Sequence, residues 1–132
     1  MEQVRIRIGG DGAWLELERT DEEHWRITAD WCSSLTADFT AFIGVEEAVD
    51  FTERMRSRVG DPLGGRFSAA VTPGRNNPLT LKAERVDDGY AFFVRLTPNG
   101  HDEACCVQLE IGPVPAGELW ETFDTAHAAL VA

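Results

Sequence analysis

The sequence predicts an α+β fold, with antiparallel sheet built in two β-β-β-β-α halves, about eight strands and two helices in all. Three observations predict it. Apolar and polar residues alternate through most of the chain, the period of a half-buried strand. Two segments, 44–60 and 116–131, leave that alternation for helical spacing. "VDDGY" at 86–90 carries Asp-Gly, the strongest short-range signal of a tight hairpin.

The first strand puts Val4, Ile6 and Ile8 on one face and Arg5 and Arg7 on the other. "GGDG" at 9–12 then turns the chain. In the second strand Ala13, Leu15 and Leu17 face inward while Trp14, Glu16 and Glu18 face out. Trp25, Ile27, Ala29 and Trp31 are the inward set of a third strand, and a short fourth covers Phe39 to Ile43. "GVEEAVDFTERMRSRVG" reads as a helix. Val45, Ala48, Val49, Thr52 and Met55 repeat at its spacing, acids fill the first turn, arginines the last, and Gly60 stops it.

The second half repeats the plan. Phe67, Ala69 and Val71 alternate, then Leu79, Leu81 and Ala83, then Tyr90, Phe92, Val94 and Leu96. A two-residue turn at Asp88-Gly89 would pair Leu81 with Leu96 and Ala83 with Val94. A second turn at Asn99-Gly100 would set Val94 against Cys105, Phe92 against Val107 and Tyr90 against Leu109. The closing helix buries Leu119, Phe123, Ala126 and Leu130. The two strand-to-helix junctions, "FIGVEEAVDFTERM" and "LEIGPVPAGELWETF", look alike, so one domain over 1–132 with pseudo-repeat halves 1–60 and 61–132 is the expected organisation.

A chain of 132 residues with 43% hydrophobic content has the size and composition for one core. The start, "MEQVRIRI", lacks the apolar stretch of a signal peptide, and three cysteines without framework spacing fit a reducing compartment, so a cytoplasmic location is expected. A net charge of −11 disfavours nucleic-acid backbones and anionic membranes and favours a basic protein partner.

The segment "HDEACCVQLEIG" at 101–112 is the most chemically loaded. On a strand, Cys105 would enter the core as a small hydrophobe and Cys106 would point away from it. Neighbours on opposite faces cannot chelate one ion, and no Cys-x-x-Cys or His-x-x-x-His accompanies them, so neither metal nor cofactor is expected. Ser33 and Ser34 lack a nucleophile elbow, and His24 stands too far along its strand to activate Cys32. The glycine-rich pieces "GGDG" and "DPLGGRF" lack the ending of a phosphate loop. Glu16 and Glu18 have ordinary partners in Arg5 and Arg26 across the hairpins. His127 falls at a helix edge. No catalytic residue is assigned.

Trp14, predicted opposite Arg7, forms either a cation–π pair on the sheet surface or an aromatic anchor for a partner. Phe93, among Ala91, Ala104 and Cys106, makes a second outward apolar spot. The candidate protein-binding set is therefore Trp14, Glu16, Glu18 and Phe93.

The element order resembles the Whirly and Pur-type fold, in which two four-strand-plus-helix units pack together. That resemblance implies single-stranded nucleic acid bound on open sheet faces by basic and aromatic side chains. Here the outward positions carry Glu16, Glu18, Asp30, Glu84 and Glu110, which argues against it. "AWLELER" and "AVDFTERM" are similar to segments of small uncharacterised bacterial α+β domains, some linked to toxin immunity. This resemblance implies a non-enzymatic, acidic binder of another protein. The expected function is thus a protein-binding module of immunity or regulatory type. The alternatives are a ligand pocket or enzyme site between the halves and a single-stranded nucleic-acid binder.

Overall fold

The computed structural model describes residues 3–98 and 105–132. Its strands are β1 (Arg5–Gly9), β2 (Ala13–Arg19), β3 (His24–Trp31) and β4 (Leu35–Phe42), followed by α1 (Val45–Val59). Then come β5 (Phe67–Ala70), β6 (Leu79–Val86), β7 (Gly89–Leu96), β8 (Val107–Pro115) and α2 (Ala116–Val131). The strands form two antiparallel four-stranded sheets, β1-β2-β3-β4 and β5-β6-β7-β8, each in sequence order. The α+β architecture of two β-β-β-β-α halves is therefore the one present.

Parity chose the faces correctly, but registers moved. In the β1–β2 hairpin Arg5 pairs with Glu18 and Gly9 with Trp14, so Arg5 is not across from Glu16 nor Arg7 from Trp14. The extra length is taken by Gly9, whose φ of 110° suits glycine alone and where a Cβ would sit 2.3 Å from the Ala13 carbonyl oxygen. In β6–β7 the turn is Asp87-Asp88, not Asp88-Gly89, and Leu81 meets Val94 while Ala83 meets Phe92. Asp87 supplies the positive φ, 53°. Gly89 has another duty, because a Cβ there would lie 2.2 Å from the carbonyl oxygen of Val114.

The largest change is in β7–β8. Val94 pairs with Leu109, Phe92 with Ile111 and, past a bulge, Tyr90 with Val114. A slide of four residues keeps the faces and brings Ile111 and Val114, both buried, into the core instead of Cys105. Cys105 and Cys106 are consequently exposed and precede the strand. The proposed Asn99-Gly100 turn, Ala104, and His101 to Glu103 lie outside the described residues. β4 is longer than expected, starting at Leu35 rather than Phe39.

One continuous hydrophobic cluster joins both sheets and both helices. On α1 the buried stripe is Ala48, Phe51, Thr52, Met55 and Val59. Val45, expected inside, is 44% exposed, and Phe51 takes its place because its ring packs edge-on against Phe123 of α2 at 6.0 Å. Polar contacts fix the same helix pair: Arg56 bridges Asp124 at 2.7 Å and the Thr52 hydroxyl meets His127 Nδ1 at 3.1 Å. A clamp ties the halves together where α1 begins. Arg75, in the β5–β6 loop, grips both oxygens of Glu47 at 2.7 and 3.0 Å and donates to the Phe42 carbonyl at 2.7 Å. Glu47 also accepts the Gly44 amide at 2.9 Å, closing the first turn of α1.

Candidate protein-binding site

Trp14, Glu16 and Glu18 stand on the outer face of the first sheet. Trp14 is half-buried beneath Arg7, whose guanidinium carbon lies 4.5 Å from the ring centroid, a diagonal contact reached although Gly9 is the residue opposite. Glu18 accepts Arg5 at 2.8 Å and Gln3 at 2.7 Å, and Glu16 lies 3.7 Å from Arg5 and 3.8 Å from Arg7. Arg26 faces Glu18 in register but turns to the other side, binding Asp38 through two nitrogens at 2.6 and 2.9 Å. That bidentate grip holds the Asp38 carboxyl below the usual aspartate range. The row is a ladder of paired charges, and its acids are already engaged.

Phe93 lies elsewhere, on the outer face of the second sheet, where it is 45% exposed between Lys82 of β6 and Glu110 of β8. Cys106 is not its cross-strand neighbour, since the β8 slide puts Glu110 there. Phe93 lines a groove of about 290 Å³ with Trp31, Leu35, Gln108, Leu109 and Glu110, and none of the first-sheet candidates shares it. The candidate set thus divides into a charge ladder and an apolar groove.

The groove arises where the end of the β3–β4 hairpin meets β8. Trp31 and Leu35 are register partners on the inward parity at the end of the hairpin, yet Trp31 is only half-buried and Leu35 is 43% exposed. The connecting turn is strained, with positive φ at Cys32 (50°) and Ser33 (60°). It is held by Cys32 N–H to the Gly12 carbonyl at 2.7 Å, Ser34 N–H to the Trp31 carbonyl at 2.9 Å, and Ser33 N–H to Asp30 at 3.3 Å. On the other wall, β8 is the outermost strand of its sheet. Thr97 N–H bonds the Pro78 carbonyl at 2.8 Å, which sets the alternation of ladder bonds across β6, β7 and β8. The backbone groups of Gln108 and Glu110 therefore turn away from β7. Aromatic walls beside the outward backbone groups of Gln108 and Glu110 give both an anchor pocket and a hydrogen-bonding template.

Trp31 was expected in the core, and Leu35 and Gln108 were not singled out. The available signal was the position of Trp31 as the last inward residue before "CSS", where a strand end has no cover guaranteed by alternation.

The two described histidines are both bonded within the fold. His24 Nδ1 lies 2.9 Å from Asp21, whose carboxyl is held low by the Glu23 amide and then by His24. His127 bonds Thr52. Among the described residues no group of three His, Cys, Asp or Glu side chains is placed to hold a metal ion. A small space of about 10 Å³ between the first sheet and α1 is lined by Ile6, Leu17, Trp25, Phe51 and other mostly apolar side chains. Arg54 is paired with Asp50, Arg66 with Glu84 and Arg75 with Glu47, while Arg58 lies over Phe67. No helix among the described residues is long and apolar enough to cross a membrane.

Compared with known proteins, the chain matches no family model and no curated sequence.

Proposed function

We propose that the protein is a non-enzymatic binding module that holds an extended segment of a basic partner protein in the groove between Phe93 and Trp31. The groove itself carries this reading: exposed Leu35 and Phe93 and half-buried Trp31 line it beside an outward-facing stretch of β8. An apolar anchor of the partner fills the space between them, and its backbone bonds to Gln108 and Glu110. The partner's basic residues are drawn by the chain's net charge of −11 and by Glu110 at the groove wall. An immunity-type or regulatory role is the form of this function that the resemblance of "AWLELER" and "AVDFTERM" supports.

The reading is tested by displaying random peptides against the protein. Selected sequences should combine one large apolar residue with flanking Arg or Lys. Phe93→Asp should reduce their affinity at least about tenfold, the loss of one interface anchor, with an unchanged thermal melt. Selections without such a pattern, or peptides indifferent to Phe93→Asp, would remove the groove as the binding site.

A further inference from the structure

Two open sheets leave four edges, and an exposed edge strand is a template for another chain unless something blunts it. β1 has only 5 residues and packs beside β8 and α2. β5 has 4, and Arg54 takes its Ala70 carbonyl at 2.9 Å. β8 is broken by a bulge and carries Glu110, Pro113 and Pro115, leaving only a short usable stretch. β4 differs from all three in its unbroken length, although Arg75 takes its Phe42 carbonyl at one end. Its 8 residues, LTADFTAF, run without a register break, proline, lysine or arginine, and its single charge, Asp38, is already held by Arg26.

We infer that β4 is the seam of a homodimer, pairing antiparallel with β4 of a second copy about a two-fold axis at Phe39. Ile43 donates its amide to the Glu23 carbonyl at 2.9 Å, in register with the β3–β4 ladder. Ladder bonds alternate along a strand, so odd-numbered residues of β4 turn their backbone groups to β3. Those of Thr36, Asp38, Thr40 and Phe42 face outward. Among the described residues only one of these groups has a partner, the Phe42 carbonyl held by Arg75.

A two-fold normal to the sheet keeps faces together, so one residue must meet its own copy. Were that residue Asp38, two carboxylates would face each other, which is destabilising. With Phe39 on the axis, Asp38 faces Thr40 of the second copy, and the two outward pairs exchange backbone hydrogen bonds on both sides of the axis. Arg26 stands opposite Thr40 within each sheet, so each Asp38 gains a second arginine along its cross-strand row. On the inner face Phe39 meets Phe39 and Ala37 meets Ala41, apolar against apolar. A basic partner finds no unpaired acid on this edge. The edge complements itself.

Sedimentation of the full chain at tens of micromolar should show a dimer that tightens as salt rises, because each copy carries −11 and salt screens their repulsion. Thr40→Glu places like charges opposite Asp38 twice per dimer and should lower the association constant about tenfold. Thr40→Lys should not weaken it. Position 40 is exposed, so neither variant threatens the fold, and thermal melts of both check that Lys opposite Arg26 costs little. Phe39→Cys, with Cys32, Cys105 and Cys106 changed to Ser, should form a disulfide-linked dimer, whereas Asp38→Cys in that background should not. A monomer at every concentration and salt, or a dimer that responds alike to Thr40→Glu and Thr40→Lys, would overturn the inference. Phe93→Asp alters the groove and Thr40→Glu the seam, so the two proposals fail separately.

Discussion

Tryptophan environments separate three side chains that look similar on the page. Trp14 lies under Arg7 on the outer face, an exposed cation–π contact worth about 0.5–1 kcal/mol. Trp14→Ala should therefore cost about 1 kcal/mol. Trp25 is fully buried, and Trp25→Ala should cost about 3–5 kcal/mol, much of a small domain's margin. Its indole nitrogen is buried without an acceptor among the described residues, so Trp25→Phe gives up packing but no hydrogen bond and should cost less than Trp25→Ala. Trp31, expected to be as indispensable as Trp25, should fall between the extremes because one side of its ring lines the groove. Urea melts of the four variants at constant m-value check the order. A Trp14→Ala as damaging as Trp25→Ala would mean that the outer face is covered.

At the scale of elements, alternation made strand faces legible and left registers open. Parity has a period of two, so shifts of two in β1–β2 and β6–β7 change every partner and keep the inward faces, while the shift of four in β7–β8 keeps Leu109 inward and leaves Cys105 outside the strand. Alternation alone could not say where β8 begins, because Cys105, Val107, Leu109 and Ile111 all share one parity. The same limit hid the groove, which depends on where the Trp31–Leu35 hairpin meets β8, a position set by tertiary packing. Phe93 was visible as an outward aromatic; its companions were not. Two strand glycines test this account of the registers. Gly89→Ala drives a Cβ against the Val114 carbonyl and should cost about 1–3 kcal/mol, whereas Gly112→Ala meets open space and should be nearly silent. Equal melts for the two would contradict the close approach of β7 to β8.

Across the whole molecule, the clamp between Arg75 and Glu47 makes the union of the halves pH-dependent. Burial pushes the Glu47 carboxyl up, but the Arg75 hydrogen bonds and the Gly44 amide outweigh it and hold the group below its ordinary 4.5. A carboxylate with a depressed folded value contributes stability that is fully present above the unfolded value and lost as pH falls through the folded one. The destabilisation caused by Arg75→Met should accordingly be largest above about pH 5 and shrink toward about pH 3. A gap that stays constant with falling pH would show that Arg75 acts through its contacts with Phe42, the carbonyl at 2.7 Å and the ring at 5.0 Å, rather than through Glu47.

The central claim is that recognition occurs in the groove rather than on the charge ladder, and amide-resolved NMR of the labelled protein with a selected basic, apolar-anchored peptide tests it most directly. Shifts confined to Trp31, Leu35, Phe93 and Gln108 to Glu110 are the predicted result. Shifts centred on Trp14, Glu16 and Glu18, with the groove unmoved, would contradict it.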